Sequence, residues 1–169
     1  MIAELLESVK KVNEGLQSGD TIRDVLMQHD NDILDLQKIQ LFNGMASDGN
    51  ELHPFYSEDL QPGGFFKSAD SAKRYADWKQ TINYPIQANR NPDVPNLYIN
   101  GRFHDELDVD FGADAVAVIG GTMYAKNIVN KYGINNFGLT TENWNKIFNE
   151  HGALAELIES IKKQLSNTD

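Results

Sequence analysis

The sequence predicts an α+β protein in which helices at both ends of the chain pack with a small antiparallel β-sheet. Three observations lead to this prediction. Apolar residues recur at three- and four-residue steps through residue 43, alternate with polar residues around Leu107, and return to helical spacing after residue 122. We expect a single domain, with a helical N-terminal region at 1–43, a loop-rich and β-hairpin core at 44–121 and a helical C-terminal region at 122–169.

The composition limits the classes of protein to consider. Forty per cent of the 169 residues are hydrophobic, which is typical of a folded chain that can bury a core. The 25 acidic and 15 basic residues give a net charge of −10, the wrong sign for binding nucleic acid through its phosphates. There is no cysteine, which excludes disulfides and thiolate chemistry. No run is apolar enough to span a membrane or to act as a secretory signal, so we expect folding in a cytosol.

Three helices are predicted in the N-terminal region. The first presents one apolar face and is expected to end at Gly19. Asp20 or Thr21 is expected to cap the second helix, and Asp30 or Asn31 the third, which runs toward residue 42. The apolar face of the first helix consists of Ile2, Leu5, Leu6, Val9, Val12 and Leu16.

The segment after residue 43 loses its periodicity and is rich in turn residues, which indicates an ordered loop region. Its aromatic residues predict packing onto the core or onto a neighbouring copy. Ser68 is expected to cap a short helix that continues to about residue 82. Within that helix and just after it, Tyr75, Trp78 and Tyr84 are suited to stacking on a ligand, but their spacing favours core packing. The loop aromatics are Phe55, Tyr56, Phe65 and Phe66.

The sheet is predicted from the residues that follow. Residues 97–99 have the composition of a strand, and Asn100 and Gly101 indicate a tight turn or a helix-like corner. Two further strands within 105–119 are expected to form an antiparallel hairpin around a turn at 112–114.

Helical spacing returns after the hairpin and predicts three more helices. The first passes through Met123 and ends at Gly133. The second is capped by Thr140 or Thr141, and the last covers 153–165. The chain is therefore expected to close with helices packed against the central region.

Five carboxylates within residues 105–114 raise the question of a metal site or an acid–base pair. Either site needs carboxylates that converge on one point in a partly buried pocket. The period-two alternation instead places the acids at 106, 108 and 110 opposite the apolar residues of the same strand. We therefore expect a solvated row of acids. The five residues are Asp105, Glu106, Asp108, Asp110 and Asp114.

Other site types find little support in the sequence. Residues 48–59 have the length of a calcium loop, but the sixth position is His53 instead of glycine and the twelfth is Asp59 instead of glutamate. No serine lies in a Gly-x-Ser-x-Gly elbow, and neither Gly-Gly pair has the Gly-Lys-Ser/Thr ending of a phosphate loop. We expect no enzyme activity, no cofactor and no metal. The histidines are predicted at the surface or as caps: His29, His53, His104 and His151.

A series of short motifs runs from residue 36 to residue 144. A helix carrying a glutamine leads to an Asp-Gly turn and a Tyr-Ser pair, then to a leucine-led corner with a glycine and a phenylalanine, a strand pair, and a closing Phe-Gly-Leu-Thr segment. These positions are Gln40, Asp48, Gly49, Tyr56, Ser57, Leu97, Gly101, Phe103 and 137–140. Their order resembles the tail-completion and neck proteins of long-tailed bacteriophages, including the Mu-type virion morphogenesis group. Asn100 stands where that pattern has a threonine.

The resemblance implies a structural virion protein that forms or joins a ring at the head–tail junction, present in the host cytoplasm during assembly. Its expected partners are copies of itself and phage neck, portal or tail proteins, without specific nucleic-acid binding and without a membrane. In such a ring the hairpin would extend a neighbour's sheet, with its apolar residues packed inward or against that neighbour. The interface hypothesis comprises Leu107, Val109, Phe111, Val116 and Val118, and the acids expected to face the channel are Glu106, Asp108 and Asp110.

Two other functions stay open at the level of the sequence. A small metal-dependent hydrolase or nuclease would use the carboxylates of 105–114 and would bind magnesium or manganese. A monomeric regulatory protein that binds a host protein would also suit the acidic charge. The first predicts heat of metal binding, and the second predicts a protein that stays monomeric when mixed with virion components.

Overall fold

The computed structural model describes residues 2–85, 90–112, 115–121 and 125–166, with side chains from residue 6 onward. Asp114 in the predicted hairpin turn and Met123 in a predicted helix lie outside these residues. The described part of the chain is an α+β protein, as predicted, with a two-stranded antiparallel sheet among helices.

The N-terminal region is helical through residue 42. Helix α1 covers Ile2–Ser18, α2 covers Asp20–Leu26 and α3 covers Asp30–Phe42, with a 3-10 turn between the last two. The break at Gly19 is confirmed. The predicted side-chain cap of α2 is wrong, because Gly19 occupies the cap position and no side chain bonds there. The Asp20 carboxylate instead accepts hydrogen bonds from Ser18 Oγ at 2.7 Å and Arg23 Nη2 at 2.6 Å.

The loop region contains the predicted helix α4, Ala69–Thr81. Its start is a reciprocal capping box, in which Ser71 N donates to Ser68 Oγ at 3.3 Å and Ser68 N donates to Ser71 Oγ at 3.0 Å. The predicted strand at 97–99 is wrong, since these residues form no regular structure and Leu97 has a positive φ of 56°. The short helix α5, Arg102–Asp105, follows, so the helix-like corner is the correct alternative.

The predicted hairpin is confirmed. Strand β1, Leu107–Phe111, pairs with β2, Val116–Gly120, and Val109 lies opposite Val118. Glu106 precedes β1 and is the C-cap residue of α5, so it is outside the strand in which the sequence placed it. The hairpin rests on α3. This support matters because an isolated two-stranded hairpin is only marginally stable in water.

The C-terminal region contains helices α6, Ala125–Tyr132, α7, Thr141–Asn149, and α8, Ala153–Ser166. Thr140 caps α7, accepting a hydrogen bond from Asn143 N at 3.2 Å. No helix within the described ranges is long and apolar enough to cross a bilayer.

One hydrophobic core joins all three regions. It contains Ile33 of α3, Leu107 and Val118 of the hairpin, and Ile147 of α7. A second cluster around Tyr56 and three neighbours anchors the loop region; its other buried members are Phe66, Ala72 and Ala76. Of the four loop aromatics, Tyr56 and Phe66 therefore pack within this chain, whereas Phe65 is exposed.

Two glycines allow close backbone approach in the loop region. Gly44 has a φ of 68°, and a Cβ there would collide with Val94 and lie 2.8 Å from the Pro95 carbonyl oxygen. A Cβ on Gly64 would collide with the Asp59 carbonyl group. Each glycine thus lets two loop segments touch where a side chain would separate them.

Candidate functional site

The hairpin turns its apolar face toward the core of its own chain. Leu107 and Val118 are buried there, and the other three residues of the interface hypothesis, Val109, Phe111 and Val116, are half-buried against the same core. We expected Leu107, Val109 and Phe111 to pack either inward or against a neighbouring subunit. In the structure they pack inward, against the core of their own chain. The opposite face of the hairpin is exposed to solvent.

The acids near the hairpin spread along its surface. Asp108 and Asp110 are exposed on the outer face, opposite Ile119 and Ala117 in the strand register. The Glu106 carboxylate accepts a hydrogen bond from Arg102 Nε at 2.8 Å. Among the described residues, no group of three or more His, Asp or Glu side chains is placed to hold a metal ion.

Gln40 clamps α3 to the segment that leads into α7. Its Nε2 donates to the Gly138 carbonyl at 2.9 Å, and its Oε1 accepts from Thr140 N at 2.9 Å and Asn143 Nδ2 at 3.0 Å. All three partners lie in or next to the Phe-Gly-Leu-Thr motif. The glutamine singled out in the sequence therefore has a structural role.

Other motif residues also make contacts with distant parts of the chain. Asn135 Nδ2 donates to the Asp48 carboxylate at 3.3 Å, and the rings of Phe103 and Phe137 pack edge to face with centroids 6.0 Å apart. Ser57 N donates to the Asp93 carboxylate at 2.9 Å. Of these contacts, the one between Phe103 and Phe137 joins two of the motifs directly.

A half-open cleft lies beside this structure. Its volume is about 480 Å³, within the range of ligand pockets. Aliphatic and aromatic side chains form most of its wall, together with the polar groups of three tyrosines, Lys79, Asn100 and Arg102. The residues that the following paragraphs use are Tyr56, Tyr75, Lys79, Leu97, Phe103, Ile128 and Tyr132.

Lys79 is the most unusual residue of the cleft. It lies on the buried face of α4 with Ala72 and Ala76, and only 1% of its surface is exposed. Its Nζ donates a hydrogen bond to the Tyr98 carbonyl, and none of the described carboxylates pairs with it. Burial, and secondarily the charge of Arg90, lower the pKa of Lys79 to about 7.

The phenols of the cleft remain protonated at neutral pH. Burial raises the pKa of Tyr56, Tyr75 and Tyr132 above the ordinary value for tyrosine. Each hydroxyl can therefore donate a hydrogen bond to a bound group.

His104 is buried on the neighbouring helix α5. It stacks on Phe42 with ring centroids 4.6 Å apart, and neither ring nitrogen has a hydrogen-bond partner among the described groups. Burial, with smaller contributions from the charges of Lys79 and Lys38, lowers its pKa to about 4. The ring is therefore neutral at physiological pH.

Sequence reasoning missed these buried bases. The placement of all histidines at the surface or as caps is wrong for His104, which is buried within α5. His29 is also buried, but it occupies the N-cap position of α3, where its side chain makes no cap bond. For Lys79 a signal was present, because it follows Ala72 and Ala76 at the spacing of one helix face. Of the proposed stacking aromatics, Tyr75 lines the cleft, whereas Trp78 is exposed.

The terminal helices α1 and α8 contact each other and leave apolar side chains in solvent. Of the predicted apolar face of α1, Val12 is buried, but Leu6 and Val9 are 65% and 49% exposed. On α8, Leu154 and Ile158 are 43% and 45% exposed. Apolar side chains are thus exposed on both of these contacting helices.

The fold and these sites define a small α+β protein with an aromatic cleft and apolar terminal helices. Comparison of the chain with protein-family models, with curated proteins and with solved structures gives no match.

Proposed function

We propose that this chain is a structural subunit of the head–tail junction of a tailed bacteriophage, located in the virion and acting by binding copies of itself and neighbouring neck, portal or tail proteins. The observation that carries the proposal is the exposure of apolar side chains on two helices that contact each other, α1 and α8. The resemblance of the motif order to phage neck proteins gives the biological context.

The proposed contact surface consists of Leu6, Val9, Leu154 and Ile158. Covering these side chains with a neighbouring subunit would remove apolar area from water, the main favourable term in stable association. Copies that bind head to tail in this way close into a ring when the rotation between them closes.

The hairpin has a second part in the proposal. Its two strands pair with no further strand of the described chain, so a neighbour's strand can add at an edge by main-chain hydrogen bonds. Asp108 and Asp110 are exposed on its outer face. In a ring with this face toward the channel, these acids would repel DNA phosphates and keep the genome mobile.

Removal of the protein from assembling particles tests the proposal. We expect a phage or prophage genome without this coding sequence to yield filled heads and tails that remain separate, as seen by electron microscopy. Supplying the protein from a plasmid should restore joined particles. Infectious virions of normal appearance in its absence would exclude a joining role.

The contact surface is tested by complementation with a Val9→Glu, Ile158→Glu double variant. Because burying unpaired carboxylates costs well over ~1.4 kcal/mol, we expect the titre to fall by more than about tenfold. Ile134, 67% exposed on the 3-10 turn at 134–136, offers a matched control. An Ile134→Glu variant should complement like the wild type, and equal titres from both variants would place the interface elsewhere.

The two rival functions have their own tests. A metal-dependent hydrolase or nuclease predicts a heat of binding for magnesium or manganese that alanine at Asp108 and Asp110 abolishes. A monomeric regulator predicts a single-copy mass in native mass spectrometry, both alone and with virion components. Discrete complexes with those components would support the neck proposal.

A further inference from the structure

The cleft contains a positive charge for which the described chain supplies no counter-ion. The Lys79 Nζ bonds only to the Tyr98 carbonyl oxygen, a neutral acceptor. This is unusual in a protein with 25 acidic residues and a net charge of −10, where surface lysines readily find carboxylates. Lys73 on the same helix does so, with its Nζ 2.7 Å from the Asp77 carboxylate.

A second cation near Lys79 also bonds, among the described residues, only to neutral groups. Arg90 donates to the carbonyl oxygens of Asn91, at 3.1 Å, and Val94, and to the Tyr84 hydroxyl at 3.4 Å. That hydroxyl in turn donates to the Lys79 carbonyl oxygen at 2.5 Å. Tyr84 therefore links Arg90 to the Lys79 main chain, and the guanidinium charge makes the charged form of Lys79 more costly.

We propose that the cleft binds a small carboxylate with an apolar body, whose carboxylate group pairs with the Lys79 ammonium while its hydrocarbon part lies against Leu97, Phe103 and Ile128. This site is separate from the surfaces on which the proposed virion role rests. A buried cation is stable when it is paired and hydrogen-bonded, and a bound carboxylate provides both interactions.

The walls of the cleft fit this class of ligand. Leu97, Phe103 and Ile128 offer apolar surface, and the protonated hydroxyls of Tyr56, Tyr75 and Tyr132 can donate to carboxylate oxygens. A cationic ligand would be repelled by Lys79 and Arg90. A neutral ligand would leave the charge of Lys79 unpaired.

Pairing with a carboxylate favours the charged form of Lys79, so binding is coupled to proton uptake. The Lys79 amine is half neutral at about pH 7, and above that pH it must take up a proton as the ligand binds. The affinity should therefore fall by about tenfold per pH unit above pH 7. The other titratable or charged groups near Lys79 are Arg90, Arg102, His104 and the three cleft tyrosines.

The test is isothermal titration calorimetry with 3-phenylpropanoate and hexanoate, each compared with its neutral amide. We expect the acids to bind at least about tenfold more tightly than the amides, the value of one ~1.4 kcal/mol ion pair. Titrations near pH 8 in buffers of different ionisation enthalpy should report uptake of close to one proton. A peptide ending in a free Phe carboxylate, compared with its C-terminal amide, distinguishes a protein terminus from a small acid as the source of the group.

A charge-removing pair of variants locates the site. Lys79→Met keeps a flexible side chain of similar length, and we expect it to lose at least about tenfold in affinity for the acids and to abolish proton uptake. Lys73→Met removes the same charge from the exposed face of the same helix and should bind like the wild type.

Three results would overturn the proposal: amides that bind as tightly as acids, acid binding that is unchanged in Lys79→Met, or no binding of any probe by the wild type up to about 10 mM, where even weak sites fill. The comparison of acids with amides and the measurement of proton uptake both use the wild-type protein. They therefore test the proposal even if Lys79→Met does not fold. None of these measurements depends on virion assembly, so failure of one proposal does not imply failure of the other.

Discussion

Two buried basic side chains, Lys79 and His104, both contact Tyr98. Lys79 bonds to its carbonyl oxygen, and the His104 ring lies against its ring with centroids 5.4 Å apart. Protein interiors usually satisfy their polar groups. Both nitrogens of His104 nevertheless remain without a partner among the described groups. The burial of these basic groups therefore lowers the stability of the folded protein. We expect the contribution of each residue to stability to depend on pH.

A His104→Phe variant should become more stable relative to the wild type as the pH falls. The pKa of His104 is lowered to about 4 in the folded protein, so between pH 6.5 and 4 the unfolded chain binds more protons. The His104 contribution should lower wild-type stability across that window by about 3 kcal/mol, and the phenylalanine variant should lack this contribution. Urea unfolding at several pH values measures the stability of the wild type and of the variant.

His53, which is exposed, provides the control for His104. A His53→Phe variant should retain the wild-type decline. If His104→Phe loses stability with acid as steeply as the wild type does, the ring is not held neutral by its surroundings.

Among the helices, α3 connects the N-terminal region to the segment before α7 through two buried glutamines. Gln40 makes hydrogen bonds with both ends of its amide. Gln37 makes one, from Nε2 to the Asn136 carbonyl at 3.2 Å, and its Oε1 is unpaired. Two glutamines one helical turn apart thus differ in how many of their side-chain polar groups have hydrogen-bond partners.

Substitution by methionine should cost more stability at Gln40 than at Gln37. Gln40→Met removes the bonds that Gln40 makes with the Gly138 carbonyl, the Thr140 amide and Asn143 Nδ2, which we expect to cost on the order of 3 kcal/mol. Gln37→Met leaves one carbonyl unpaired but also removes an unpaired acceptor, so we expect about 1 kcal/mol or less. Chemical denaturation of both variants provides the comparison, and equal losses would mean that the Gln40 clamp adds nothing.

Elements with local signals were predictable from the sequence. Ser68 and Thr140 cap α4 and α7 because their side chains bond to backbone amides three residues later, and the alternation from Leu107 to Phe111 required a strand with one buried face. The strand predicted at 97–99 failed because hydrophobic composition does not reveal backbone conformation. Leu97 adopts a left-handed φ that no strand accommodates.

The cleft was beyond sequence reasoning because it depends on distant segments. Tyr56 comes from a loop, Tyr75 and Lys79 from α4, Phe103 from α5 and Tyr132 from α6. No periodicity within one segment indicates that these side chains meet. The exposure of apolar residues on α1 was also not predictable from the sequence. An apolar stripe predicts that one helix face is buried, but it does not indicate whether the same chain or another molecule covers that face.

Across the whole molecule, His29 ties the N-terminal region to the last helix. Its Nδ1 lies 3.1 Å from the Asp32 carboxylate and its Nε2 lies 3.0 Å from the Glu156 carboxylate on α8. His151 Nδ1 lies 3.0 Å from the other oxygen of Asp32. Burial disfavours the charged form of His29, but the hydrogen bonds to Asp32 and Glu156 outweigh it and raise its pKa.

This pairing should make stability depend on pH in the opposite direction from His104. A raised folded-state pKa stabilises the protein below pH 6.5, and that stabilisation is lost as the pH rises through the raised value. A Glu156→Gln variant should lose about 1 kcal/mol near pH 6 and almost nothing near pH 9, measured by urea unfolding.

Glu159 on the same helix is the matched control for Glu156, because it pairs with Lys162 at the exposed surface, 2.7 Å away. Glu159→Gln should change stability by less than about 0.5 kcal/mol at either pH. An equal effect of both variants would indicate a general consequence of charge removal instead of the His29 contact.

The close backbone approaches at Gly44 and Gly64 provide a criterion for recognising homologues. A Cβ at either position would collide with Val94 or with the Asp59 carbonyl group, so no other residue fits without displacing a neighbouring segment. Divergent chains that share this fold should therefore keep glycine at both sites even where their surfaces have changed. Such a glycine pair, followed by a Lys on the buried face of the next helix, is a signature for searching genomes whose overall sequence identity is too low to align.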